Sequence, residues 1–194
     1  MATKRPAARP SSGRAASATV IPAVLDAAAQ LFAEKGPAGT SLRDVAARAD
    51  VTYGLVFRHF GTKEKLVSAV LDHLGAVVVD LIEKDPGGAD FNAAVDLHST
   101  VMARATLDGY PADRLQTRFP GTEILIQELA PRFNTDFEAR VAAANAIALQ
   151  VSWRLFQPYL RAATGLADAP EHEIDEAVNR ILTSIVRGES STTT

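Results

Sequence analysis

Cysteine is absent from the 194 residues. That removes disulfides, thiolate nucleophiles and cysteine metal sites, and it fits a cytoplasmic protein in a reducing compartment. Long apolar runs are also absent. The longest, such as Ala76 to Val79, fall far short of the ~18 residues a membrane span needs, so no membrane partner is expected. Residues 1–18 contain no apolar stretch of the kind a secretory signal carries. Catalytic signatures are missing too. His59, His73, His98 and His172 are scattered, with no HExxH pair, no GxSxG elbow, no phosphate-binding glycine loop and no nicotinamide fingerprint. Glu171-His172-Glu173 falls at a helix start and reads as a solvated cluster. We therefore expect no enzyme, no cofactor and no metal site. Strand-like alternation and internal repeats are lacking as well, which leaves an all-α chain.

The charge is unevenly spread. The formal net charge is -3, yet through His73 ten basic residues stand against six acidic ones. A basic N-terminal part on an acidic remainder suits a polyanion bound at one end only, although chance surface charge gives the same balance. Residues 1–18 hold Lys4, Arg5, Arg9 and Arg14 among Ala, Pro, Ser and Gly, with no acid. They read as a disordered basic arm, either a flexible leader or a segment that lies along a DNA minor groove.

The stretch Thr40 to Leu66 carries the densest signals. Ser41-Leu42-Arg43-Asp44 matches a capping box, and Leu42, Val45, Ala46 and Ala49 then form one apolar helical face. Asp50 suits a left-handed residue at the stop. Thr52 can cap the next helix, with Val51 and Val56 as a hydrophobic staple. That helix, Tyr53 to about His59, turns Val56 and Phe60 inward and Tyr53, Gly54, Phe57 and Arg58 outward. Two helices joined by a tight turn make either an ordinary αα-corner or the helix-turn-helix of DNA readers.

Around the corner the pattern extends. A first helix, expected from about Thr19 with Pro22 in its first turn, repeats Ile21, Val24, Leu25, Ala28, Leu31 and Phe32 and stops at Gly36-Pro37. Thr62 caps a fourth helix that can run to Lys84, about 33 Å at 1.5 Å per residue, before Asp85-Pro86-Gly87-Gly88 ends it. Leu31-Phe32-Ala33-Glu34-Lys35-Gly36, Thr40-Ser41, Val45-Ala46, Ala49-Asp50-Val51-Thr52, Val56-Phe57-Arg58-His59-Phe60 and Lys63-Glu64-Lys65-Leu66 together resemble the N-terminal domain of the TetR (tetracycline-repressor-like) family. The likeness runs from about Ile21 to Leu71, roughly a quarter of the chain. It departs from the family at Asp50, where Gly is usual, and at Phe57, where Tyr is usual. It departs again in a first helix without Arg or Lys between Thr19 and Gln30.

The resemblance implies a three-helix DNA-binding head at residues 19–72 and a larger helical ligand-binding and dimerisation domain at 73–187; the polar residues 188–194 read as a disordered tail. It implies a homodimer on double-stranded operator DNA, most often a repressor, released by a small molecule. The expected DNA-binding residues are Ser41, Arg43, Thr52, Tyr53, Gly54, Leu55, Phe57, Arg58, His59 and Lys63. Among them Lys63 is placed to meet a phosphate. Arg43 can donate bidentately to guanine, and Tyr53 can reach a base edge or a thymine methyl. Gly54 lets the backbone approach closely.

The remainder reads as helices over about 90–107, 112–117, 120–129, 135–164 and 170–187, with Pro158 expected to bend the fourth of these or split its last turns. The last two carry small and apolar residues suited to a four-helix dimer interface, or simply to packing within the chain. Leu97, Val101, Met102, Phe119, Ile124, Phe137, Trp153 and Phe156, with His98, Arg104, Arg118 and Gln127 interspersed, line either a filled core or a cavity for a mostly apolar ligand. A helical adaptor without ligand control is the alternative function.

Overall fold

The structure is a computed structural model that describes residues 12–116 and 118–188, apart from the side chains of 12–19, 112 and 113. All regular secondary structure among the described residues is helical. The helices are α1 (Ser12–Lys35), α2 (Leu42–Arg48), α3 (Tyr53–Phe60), α4 (Lys63–Lys84), α5 (Ala89–Leu107), α6 (Ala112–Leu115), α7 (Pro120–Leu129), α8 (Asp136–Ala163) and α9 (Glu171–Arg187), with a 3-10 turn at Ala130–Arg132. The fold is all-α: an N-terminal helix-turn-helix head followed by a helical body.

Local chemistry sets the ends of the short helices. Ser41 accepts from the Asp44 N–H, and the Asp44 carboxylate accepts from the Ser41 N–H at 2.8 Å, which completes the capping box. At the other end of α2, the Asp50 N–H bonds the Ala47 carbonyl and the Val51 N–H bonds the Ala46 carbonyl, while Asp50 itself takes φ 53. This is the left-handed stop usually made by glycine, and it aims α3 across α2. Thr62 caps α4 by accepting from the Lys65 N–H. Thr52 is the N-cap residue of α3, yet its side chain makes no capping bond, contrary to the expected role.

Two other expectations change. α1 begins at Ser12 rather than near Thr19, so Pro22 stands inside the helix and not in its first turn. Ala15-Ala16 and Ala18 have the helix propensity to extend the helix N-terminally. Of the arm expected over 1–18, residues 12–18 are helical in α1 instead, and residues 1–11, with 189–194 of the tail expected over 188–194, lie outside the described residues. Pro158 does not split α8, which continues to Ala163. At the start of α8, Thr135 and Glu138 form a second capping box, a Thr-x-x-Glu signal readable in the sequence.

The main core joins α1 to α4. Val24, Phe32, Val45, Val56, Leu66, Val70 and Leu71 are all buried there. Val101 and Ala105 of α5 and Leu115 of α6 belong to the same cluster. The core therefore does not close at residue 72, where the expected domain boundary fell. α5 is long enough to lie against both α1 and α4, and its C-terminal half completes the head. A smaller cluster in the body gathers Leu129, Ala139, Ala142 and Ala143, with Phe133, Ile185 and Val186 packed on it.

Candidate nucleic-acid interface

α3 is a short helix with two distinct sides. Val56 and Phe60 are buried, as expected, and hold it to the core. Tyr53, Gly54, Phe57, Arg58 and His59 are exposed, and Leu55 is half-buried. Tyr53 is 42% and Phe57 52% exposed, and their rings stack at 5.8 Å. The Arg43 guanidinium, from the first turn of α2, lies 5.4 Å from the centre of the Tyr53 ring. Arg43, Tyr53 and Phe57 thus form a continuous outward rail that crosses from one helix to the other. Periodicity placed each on an outer face. It did not show that a cation–π contact joins them. His59 leans edge-on against Phe60 at 4.6 Å.

The rail rests on a braced frame. Arg48, in the last turn of α2, donates two parallel hydrogen bonds to the Glu34 carboxylate of α1, each 3.0 Å. Those bonds hold the Glu34 carboxyl below its ordinary pKa. Asp44 is likewise held low, by hydrogen bonds from the Ser41 backbone and hydroxyl. Both depressions favour the folded state above the ordinary carboxylate range, and that contribution fades as pH falls through the lowered folded-state values. Behind the head, His73 of α4 meets Asp26 of α1 at 2.8 Å.

Ser41 and Thr52 are exposed at the two helix starts, and Lys63 is half-buried beside the α1–α2 turn. The Lys63 ammonium donates to the Ala38 carbonyl at 3.3 Å. It stands next to the N-terminus of α2. A shallow depression there is bordered by Ala38 to Leu42, Asp44 and Lys63. Arg48, Glu34 and the Ala38 partner were missed by sequence reasoning, because contacts between helices leave no mark on the period within one helix.

The expected ligand-lining residues fall in different surroundings. Val101 is buried in the head core, with Leu97 and Met102 packed against it. Phe119, Phe137 and Phe156 are exposed, and Ile124 is half-buried. Trp153 borders a polar cavity of about 410 Å3 between α5, α8 and α9. Its indole N–H is buried without a partner. There Arg154 is already engaged by Asp96 at 2.6 Å and by the Asn92 side chain at 2.7 Å. A separate groove of about 410 Å3 is lined by Met102, Thr122, Ile126, Arg140, Ala143, Ala144, Ile147, Ala148 and Val151. Of the interspersed polar residues, Arg104, Arg118 and Gln127 are exposed. Burial pushes the His98 imidazole below its ordinary pKa, opposed by a hydrogen bond with Gln116.

Among the described residues no three His, Asp or Glu side chains are grouped to hold a metal ion, and no helix is long and apolar enough to cross a membrane.

A braced helix-turn-helix with an exposed basic and aromatic face defines a DNA-binding regulator. The sequence pattern of the family "Bacterial regulatory proteins, tetR family" matches residues 24–70. The chain is 51% identical to the HTH-type transcriptional repressor Rv3405c of Mycobacterium tuberculosis over 167 residues, 84% of this chain and 89% of that one. It is 39% identical over 66 residues to the repressor KstR2 of Rhodococcus jostii, 34% of this chain and 31% of that one. A crystal structure of the multidrug binding protein EbrR complexed with imidazole matches with a TM-score of 0.54 at 22% identity, over 94% of each chain, a likeness of fold. The protein belongs to the TetR family of helix-turn-helix transcriptional regulators, and it binds DNA through its head; it is not an enzyme.

Proposed function

We propose that the protein is a homodimeric repressor that reads a palindromic operator and is released from it by a small, largely apolar ligand. The rail of Arg43, Tyr53 and Phe57 carries the first part of this reading. A stacked guanidinium is held for bidentate donation to guanine, and the two aromatic faces offer apolar contact to a thymine methyl. Ser41, Thr52, Arg58, His59 and Lys63 flank the rail and can meet phosphates, while Gly54 and Leu55 lie where α3 enters the groove. Phe57 has no hydroxyl, so it contributes surface and not a phosphate bond. An adaptor protein would not require such a face.

The dimer reading draws on α8 and α9, where Phe137, Val141, Tyr159 and Ile181 are exposed along amphipathic helices. The ligand reading draws on the groove between α5, α7 and α8, whose one charged lining residue is Arg140. A pocket of that volume and lining takes a small apolar molecule. By linkage, a ligand that lowers operator affinity binds less tightly to the DNA-bound form.

The test is selection of DNA from a random pool, followed by titration at several salt concentrations. A palindrome bound by a dimer is the expected product. Lys63→Ala should weaken selected and random DNA alike and lower the salt slope by about one unit. Absence of any selected sequence would reject operator reading and leave the adaptor.

A further inference from the structure

α5 ends at Leu107, and Asp108 follows it directly. The Asp108 carboxylate accepts a hydrogen bond from the Ala38 backbone N–H at 2.7 Å. Ala38 lies in the turn between α1 and α2, just ahead of the Ser41 N-cap. Its N–H is beyond the end of α1 and so outside that helix's hydrogen-bond ladder. Two more observations converge on the same turn. Gly36 takes φ 74, and a Cβ there would stand 2.7 Å from the Asp108 carboxylate oxygen. The carboxylate can occupy its place only because residue 36 has no side chain. On the other side of Ala38, the carbonyl accepts from the Lys63 ammonium. Residue 38 is therefore gripped from α5 at its N–H and from the start of α4 at its carbonyl.

α5 also reaches the body's cavities. Asn92, Asp96 and Thr100 border the polar one, and Met102 borders the apolar groove. One helix thus runs from the cavity walls to the turn that sets the start of α2.

We propose that Asp108 is the positioning residue by which the body sets the DNA-reading elements: its carboxylate fixes the Ala38 turn, and with it the N-terminus of α2 and the reach of Lys63. A displacement of α5 is transmitted to the head through this hydrogen bond, in addition to any movement of α4. The inference rests on the head's reading of DNA and not on the identity of a ligand. The bond is charge-assisted, so it is stronger than a neutral one. It is not needed to keep α5 on the head, because Val101 and Ala105 are fully buried there.

The experiment compares Asp108→Ala and Asp108→Asn in the full chain. Amide exchange at Ala38 is read without DNA, and affinity is read on DNA selected by the unmodified protein. Asp108→Ala should speed exchange at Ala38 and lower affinity for the selected DNA about tenfold, the scale of one charge-assisted hydrogen bond. The melting temperature should stay unchanged. Asp108→Asn keeps an oxygen acceptor, so it should retain most of the protection and most of the affinity. Unaltered Ala38 exchange in Asp108→Ala overturns the proposal whether or not any DNA is selected. So do unaltered affinity in that variant, equal losses in both variants, or a loss that follows a lowered melting temperature. Failure of the selection itself would instead reject operator reading.

Discussion

The head and the far end of the body use apolar side chains in opposite ways. In the head, Phe32, Val45, Val56, Leu66 and Leu71 are almost wholly enclosed, and α5 is recruited to finish the enclosure. In α8 and α9 the enclosed set is small: Ala139, Ala142, Ala143 and Ala146 of α8 and Ile174 of α9. Several large side chains lie outside it, with Phe137 at 75%, Tyr159 at 71% and Ile181 at 53% exposure. A monomer rarely leaves so much apolar surface on neighbouring helices without a use for it. The head holds itself together within one chain, whereas the α8–α9 face is suited to covering by a second one.

The sharpest way to break that contrast is to mutate each side and ask what fails. Phe32→Ala, in the dry core, should cost about 3–5 kcal/mol of folding stability, read as a large fall in melting temperature. Ile181→Asp should leave the melting of an isolated chain nearly untouched, because the residue is already exposed. If the proposed dimer closes over it, the substitution should instead weaken self-association by about 2–4 kcal/mol, the scale of a buried interface anchor, and DNA affinity should fall with it. Light scattering across a dilution series checks this. A chain that is monomeric before mutation and still binds selected DNA fully would remove the reason for treating the two regions differently.

Within the head, the comparison sharpens to residues that read and residues that only hold. Arg43→Ala and Tyr53→Ala should each lose about 1–3 kcal/mol on selected DNA and much less on random DNA. Because the guanidinium lies against the Tyr53 ring, the two losses should not add. A coupling of about 0.5–1 kcal/mol is expected from an exposed cation–π contact. Strict additivity in a double-mutant cycle would mean that the rail is not one unit on DNA.

Much of the head was legible because its helix ends are written in local chemistry. Ser41 with Asp44, Asp50 at the turn and Thr62 before α4 each announce themselves within a few residues, and the structure has all three in place. The inward side of α3 followed from Val56 and Phe60 alone. What stayed hidden depends on which helix meets which. The period of α5 marks Val101 and Ala105 as apolar, but nothing in it says that their neighbours are in the head. The same gap explains the scattered ligand set. Phe137 and Phe156 were grouped with Val101 as apolar residues, and the fold turns them outward. Asp108 and Ala38 are 70 positions apart, a separation at which no spacing rule operates.

The smallest effect concerns the turn between the two reading helices. Asp50 holds φ 53 at the C-terminal stop of α2, where a side chain is crowded and glycine is not. Asp50→Gly relieves that crowding, but it also enlarges the freedom of the unfolded chain. The two effects oppose each other. Because a left-handed residue other than glycine costs up to roughly 1–2 kcal/mol and Asp less than most, while the entropic loss is about 0.4–1 kcal/mol, relief should win only narrowly, by less than about 1 kcal/mol. Asp50 is exposed beside the start of α3, so its negative charge also opposes the approach of a phosphate backbone. Asp50→Asn separates the two terms, since Asn tolerates the left-handed backbone and carries no charge. Asp50→Asn should leave stability close to that of the unmodified protein while tightening selected and random DNA together, an effect that shrinks with added salt. Asp50→Gly should raise the melting temperature slightly and tighten DNA by a similar amount. A lower melting temperature in Asp50→Gly would show that the aspartate side chain contributes more to the turn than its backbone strain removes.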